Sequence, residues 1–232
     1  MADMTAKVDM VSGLKQCGIP DSGAALLAEK MEAYIKEIAL FNSAYNLTNT
    51  SDRDELAVRH IFDSLAAWPV IKEAAVDAAK ASATEPVVIA DIGSGGGLPG
   101  IPLAAAFSVL EIPGVRFELV ERMEKRCAFL ENCDAILGLK NVTVVNSEAE
   151  RVPEKAYNFI TFRAFRPLDK KMTKTLLRIV KEGGNLFAYK AKLENIKEEM
   201  AGISALVPDY KVCPLTVPGL EDSERNLVII RK

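Results

Sequence analysis

The sequence predicts an α/β fold with a mostly parallel sheet, and three observations carry that prediction. From Pro86 onward, short β-branched runs alternate with helix-length amphipathic segments, as repeated βα units require. A turn with glycines at positions 93, 95, 96, 97 and 100 separates the first such run from the first helix of the series. The last two runs are joined without room for a helix, so they are expected to pair as an antiparallel hairpin at one sheet edge.

Residues 1–85 read as a helical extension and residues 86–232 as the sheet-bearing domain. From Ala24 to Phe41, the residues Leu27, Met31, Tyr34, Ile35, Ile38 and Phe41 fall on one helical stripe. Asp21 and Ser22, after Pro20, are its expected caps. A second helix is expected over Arg53–Trp68, ended by Pro69 and capped by Thr48 or Asn49, with an Ala-rich segment from Ile71 to Ala83 behind it. Strands are expected at Val87–Ile92, Arg116–Val120, Val142–Val145, Phe159–Phe162, Asn185–Tyr189, Tyr210–Val217 and Asn226–Arg231. Helices are expected at Leu98–Phe107, Arg122–Leu137, Leu168–Val180 and Leu193–Leu206. With right-handed crossovers this makes a seven-stranded Rossmann-like sheet, an arrangement that resembles class I methyltransferases.

Composition narrows the chemistry. Of 232 residues, 49% are apolar and 26% charged, which is ordinary for a globular chain with ample core. No run nears the roughly 18 apolar residues of a membrane span, and the first residues lack the apolar stretch of a signal peptide. Cys17, Cys127, Cys133 and Cys213 show no CxxC spacing, so free thiols in a cytoplasmic protein are expected. A single histidine, His60, argues against a zinc site and against Ser-His-Asp hydrolysis; no metal is expected. Net charge is −3, but residues 91–232 alone carry +2, with basic clusters at Arg122, Lys125 and Arg126, at Arg163 and Arg166, and at Lys170, Lys171 and Lys174. A basic rim of this kind can hold phosphates.

The glycine turn admits two cofactors. Gly95-x-Gly97-x-x-Gly100 fits a dinucleotide fingerprint, whereas Asp91-x-Gly93-x-Gly95-x-Gly97 fits an S-adenosylmethionine (SAM) turn in which an acid closes the strand. An acid at Asp91 suits a sulfonium and an ammonium and repels a pyrophosphate. Glu121, which closes the second strand 24 positions after Gly97, can accept from both ribose hydroxyls of either cofactor. A dehydrogenase needs a second domain for its substrate, and nothing after Gly100 supplies one. SAM is the expected cofactor, with NAD the alternative.

Several segments resemble one family: the RsmG or GidB methyltransferases, which act on N7 of a guanine in small-subunit (16S) ribosomal RNA. The pieces are YNLTNTSDRDELAVRHIFDSL (Tyr45 to Leu65), DIGSGGGLPGIPLA (Asp91 to Ala104), EKRCAFL (Glu124 to Leu130), RAF (Arg163 to Phe165), the Ala-Tyr-Lys ending at Lys190, and SERNLVIIRK (Ser223 to Lys232). They follow the family's order and spacing over nearly the whole chain. The resemblance implies cofactor contacts at Gly93, Leu98, Ala149, Glu150 and Arg163, with Glu121 at the ribose. Phe162 stands where serine is frequent in the family, Ala191 where glycine is, and Asn226 where histidine is. These departures fall on the target-binding side.

Guanine N7 carries a lone pair and no proton, so its methylation needs placement rather than a general base. Arg163, at the carboxyl end of a strand, is expected to bridge cofactor and target, or else to pair structurally with Glu150 or Asp91. Arg59, His60, Arg166, Lys190 and Arg225 are the candidates for RNA contact. Asn46 and Thr48 read as a local turn or as part of a cover over the site. The expected partner is the small ribosomal subunit, engaged by a monomer. The competing readings are a methyltransferase with a small-molecule or protein substrate and a non-catalytic SAM-dependent RNA-binding factor.

Overall fold

The computed structural model describes residues 8–82, 85–164 and 167–232. Seven strands form one sheet in the order β3-β2-β1-β4-β5-β7-β6. They are β1 (Val87–Ile92), β2 (Val115–Glu121), β3 (Val142–Asn146), β4 (Tyr157–Arg163), β5 (Val180–Lys190), β6 (Lys211–Pro214) and β7 (Asn226–Arg231). β1 to β5 are parallel; β7 runs antiparallel between β5 and the edge strand β6. Strand order reverses between β1 and β4, and the carboxyl ends of strands at such a switch point open the crevice where α/β sheets take ligands.

Side chains alternate across the sheet as its pleat demands. Val87 and Ile89 of β1 join one apolar cluster, while Ala90 and Ile92 join the other. The second face is covered by α8 (Lys170–Ile179) and α9 (Leu193–Ile203) through Met172, Leu176, Ile196 and Met200. The first face carries α6 (Gly100–Val109), α7 (Glu124–Leu137) and the helices that precede the sheet. These are α1 (Met10–Gln16), α2 (Asp21–Tyr45), α3 (Arg53–Leu56), α4 (Asp63–Leu65) and α5 (Trp68–Ala81), with a π-helical turn at Ala57–Phe62 joining α3 to α4. α2 lies on α6 and α7, and α5 packs on β1 and β2. Leu27, Met31, Tyr34, Ile35 and Ile38 are buried along α2 as the stripe predicts, each contributing about 1.5–3 kcal/mol of apolar burial. Among the described residues no helix is long and apolar enough to cross a membrane.

Four local expectations change. Asp21 is the first residue of α2 rather than its cap, and its acid complements the helix dipole from the first turn. The cap of α3 is Asp52, whose Oδ1 accepts from Asp54 N and Glu55 N, so neither Thr48 nor Asn49 is needed there. Pro69 does not end the second helix but sits in the first turn of α5, where a proline loses no helical hydrogen bond. α6 begins at Gly100, two residues after Leu98, because Ser94–Pro99 are spent on the turn.

Candidate active site

Two walls rise from the carboxyl ends of β1 and β4. The first is the glycine turn. Gly93, Gly95 and Gly97 have φ of +69°, +58° and +89°, which side-chain-bearing residues rarely adopt. Beneath it lies Asp91, 1% exposed, whose Oδ2 accepts from Ser94 Oγ at 2.7 Å and from Gly100 N at 3.0 Å. A Cβ at Gly100 would fall 2.8 Å from that oxygen and 2.4 Å from Leu119 Cδ2, so the approach admits only glycine. Burial pushes the Asp91 carboxyl up to about 6, against the pull of its hydrogen bonds and of the Arg163 charge.

Glu121, 4% exposed at the end of β2, accepts from Gly95 N at 3.0 Å and from Met123 N at 2.9 Å. A carboxylate has about four acceptor positions, so roughly two remain for hydroxyl donors. The helical segment closes the turn from above. Tyr34 Oη donates to Gly96 O, Leu47 lies 3.4 Å from where a Gly96 Cβ would stand, and Arg126 Nη2 donates to Asn46 O at 3.2 Å. Asn42 holds the Leu47–Ser51 loop: its Oδ1 accepts from Leu47 N and Thr48 N, and its Nδ2 donates to Thr50 O and Ser51 Oγ. Beyond β3, Ala149 and Glu150 form a short 3-10 turn whose carbonyls accept from Arg178 Nη2 at 3.4 and 3.1 Å.

The second wall is a cluster of charged side chains from three parts of the chain. Arg163 Nη1, at the end of β4, donates to Asp63 Oδ2 at 2.7 Å and to Arg59 O at 3.2 Å. Its Nη2 lies 3.0 Å from His60 Nδ1; a guanidinium cannot accept, so Nδ1 accepts and the imidazole proton sits on Nε2. Arg225 Nε, before β7, donates to Asp63 Oδ1 at 3.1 Å. Burial first, then the Arg163 charge, pushes His60 down to about 4, so its ring is neutral at neutral pH.

Between the walls is a cleft of about 1240 Å³ whose lining includes Thr48, Gly93, Gly95, Leu98, Arg163 and Lys190. Lys190 Nζ pairs with Glu199 Oε1 at 2.8 Å and stands 6.0 Å above the Phe162 ring. Phe162, Ala191 and Asn226, the three departures from the family pattern, all line this side, and Asn226 Nδ2 donates to Ala191 O at 2.6 Å. Ala164, next to Arg163, adopts a φ of +50°, a strained conformation at the cleft edge.

The turn fits SAM by its charge. Two buried carboxylates, Asp91 and Glu121, stand behind it, and Asp91 Oδ1 is buried without a hydrogen-bond partner among the described residues. That field opposes a diphosphate and favours a cofactor bearing a sulfonium and an ammonium.

A family model described as rRNA small subunit methyltransferase G, GidB, matches residues 27–228. The chain belongs to this family. Ribosomal RNA small subunit methyltransferase G of Treponema denticola is 40% identical to it, over 99% of this chain and 96% of that relative. The protein of the same name from Cupriavidus pinatubonensis is 35% identical, over 94% and 92%. Among solved structures, a SAM-dependent methyltransferase from Aquifex aeolicus aligns with a TM-score of 0.54 at 18% identity, covering 87% of this chain and 98% of that one. A tRNA (m1A58) methyltransferase, TrmI, from the same organism aligns at 0.53 and 16%, covering 85% and 75%. At these identities the structures show the fold.

In this GidB-family chain the sequence-chosen residues separate into groups. Gly93, Gly95, Leu98 and Arg163 line the cleft together with His60, Lys190 and Arg225. Asp91 stands under the turn rather than on the cleft wall, because its carboxylate is spent on Ser94 and Gly100. Gly97 is turned inward as well: its Cβ would meet Ile101 Cδ1 at 2.5 Å. Arg59 is exposed and offers its carbonyl to Arg163. Arg166 and Phe165 lie outside the described residues. Arg163 pairs with neither Glu150 nor Asp91 but with Asp63, a residue the sequence reading passed over. The available signal was an acid between Phe62 and Leu65, on a helical stretch otherwise bound for the core.

Proposed function

We propose that this chain transfers the methyl group of SAM to N7 of a guanine in small-subunit ribosomal RNA. The observation that supports it most directly is the cleft itself, which joins a turn backed by two carboxylates to a wall of arginines at the sheet's switch point. When bound, SAM supplies an electrophilic methyl on a sulfonium. The chain's own residues bind, orient and exclude water. Gly93, Gly95, Gly97 and Leu98 shape the floor, with Asp91 holding it from below. Glu121 accepts from ribose hydroxyls. Ala149 and Glu150 flank the base, and Arg163 reaches from cofactor to target.

The lone pair at N7 needs no base, and the site supplies none: the neutral His60 ring has its acceptor nitrogen already committed to Arg163. Holding the reactants in line is worth on the order of 7–11 kcal/mol. Arg59, His60, Arg166, Lys190 and Arg225 are the residues we assign to RNA. In this reading residues 1–85 form a helical extension on a methyltransferase domain of 86–232. The chain works as a monomer in the cytoplasm, on RNA assembled in the small subunit.

The test is transfer of labelled methyl from SAM to small subunits lacking the modification, with mass mapping of the modified guanine. We expect one N7-methylguanine in the small-subunit RNA and none in free nucleosides. Transfer to free nucleosides or to a protein would replace this substrate. A protein that binds neither SAM nor its demethylated product would end the reading.

A further inference from the structure

The arginine wall hinges on one residue to which the proposed function gives no part. Asp63 is 7% exposed and reaches the cleft from the helical segment, where α4 follows the π-helical turn. Its two oxygens are divided between two strands: Oδ2 takes Arg163 Nη1 at 2.7 Å and Oδ1 takes Arg225 Nε at 3.1 Å. The side chains of both arginines are mostly buried, 14% and 27% exposed, so neither is held by chance solvent pairing. His60, three residues earlier, accepts from Arg163 Nη2, and the carbonyl of Arg59 takes a second hydrogen of Nη1. Of the five donors of Arg163 these contacts take three, leaving Nε–H and one Nη2–H without a partner among the described residues.

We propose that Asp63 is a positioning residue of the methylation site: it holds Arg163 and Arg225 in fixed orientation on the cleft wall and reduces their joint charge from two positive to one. The inference rests on the methyl-transfer reading, and its logic is electrostatic. The cleft must attract an anionic RNA strand, which favours arginines. Methylation of N7 leaves the guanine ring cationic, which an uncompensated arginine pair opposes. A carboxylate shared by both guanidiniums serves both demands and leaves Arg163 two donors for the cleft.

The experiment compares the full-length wild type with Asp63→Asn and Asp63→Glu. Asparagine keeps the shape and removes the charge. Glutamate keeps the charge and shifts both guanidiniums by one methylene. With unmodified small subunits, kcat is expected to fall on the order of a hundredfold in Asp63→Asn and about tenfold in Asp63→Glu, as small misplacements in a reacting site do. The second readout needs no cofactor. The chain has one histidine, so its imidazole signals in NMR are unambiguous. In the wild type the ring faces Arg163, Asp63, Arg59 and Glu55 and stays untitrated above pH 5.

If Asp63 holds Arg163 against that ring, both variants free the guanidinium, and the imidazole gains a midpoint between pH 5 and 7. If Asp63 were merely a packed acid, Arg163 would stay and the ring would remain silent above pH 5. Wild-type kcat in either folded variant, or a silent imidazole in both, overturns the proposal. Should Asp63→Asn fail to melt cooperatively, Asp63→Glu decides alone. A wild type that transfers no methyl would instead overturn the reading beneath it, and the imidazole would still report on the arginines.

Discussion

The two walls of the cleft face one another, but the bonds that hold them differ in reach. On the glycine side, Asp91 bonds residues three and nine positions away, and Glu121 bonds one 26 positions away. On the arginine side, Asp63 bonds residues 100 and 162 positions away. The first wall is complete once β1 and β2 are paired and α6 has begun. The second exists only when the helical segment, β4 and β7 have all met. A carboxylate organises each wall: Asp91 from beneath, invisible to a ligand, and Asp63 from the wall itself, between two cations.

The glycine wall breaks most easily by addition of one carbon. Gly100→Ala places a methyl against Asp91 Oδ2 and Leu119 Cδ2, and we expect a loss of about 3 kcal/mol in urea unfolding together with loss of SAM binding by calorimetry. Binding that survives at wild-type strength would show that the turn tolerates displacement of Asp91.

Proton linkage sets the walls against each other. Asp91 is pushed up from 3.8 to about 6, so the folded state holds its proton more tightly, and stability from this group is present below pH 4 and lost as pH rises through 6. His60 is pushed down from 6.5 to about 4, so the unfolded state holds that proton more tightly, and stability rises with pH across the same window. Each amounts to about 3 kcal/mol, and the two largely cancel. Relative to wild type, His60→Gln should therefore lose stability between pH 4 and 6, and Asp91→Asn should gain it. Unfolding midpoints across that range check both signs; difference curves of the same sign would refute the opposition.

A smaller effect tests the closure from above. Tyr34→Phe removes the hydroxyl that donates to Gly96 O, and about 1–2 kcal/mol of stability should go with it, a few degrees in the melting temperature. No change would mean that Gly96 O finds another donor.

The glycine wall was legible in the sequence because its signals are local: an acid ending a β-branched run, then glycines at fixed offsets. Val87–Ile92 was placed to the residue, and the parallel order with its antiparallel edge followed from element succession. The arginine wall was only half legible. Arg163, Arg225 and His60 could be chosen one by one, but nothing in the spacing of Asp63 announced two partners so far along the chain. Asp91 shows the opposite limit. Its position was read correctly and its orientation was not, because whether a strand-end acid faces the cleft or the turn depends on Ser94 and Gly100 reaching it first.

The π-helical turn at Ala57–Phe62 bears on how this segment can vary. Such a turn accommodates one residue more than a regular helix would. Deleting one residue there would let the helix tighten and rotate everything after it by about 100°, carrying Asp63 away from the sheet. Leu65 and Trp68 would leave the core by the same rotation. For these thirteen residues, chain length is therefore under stricter control than side-chain identity at the exposed positions, and natural variation there should consist of exchanges, never of gaps.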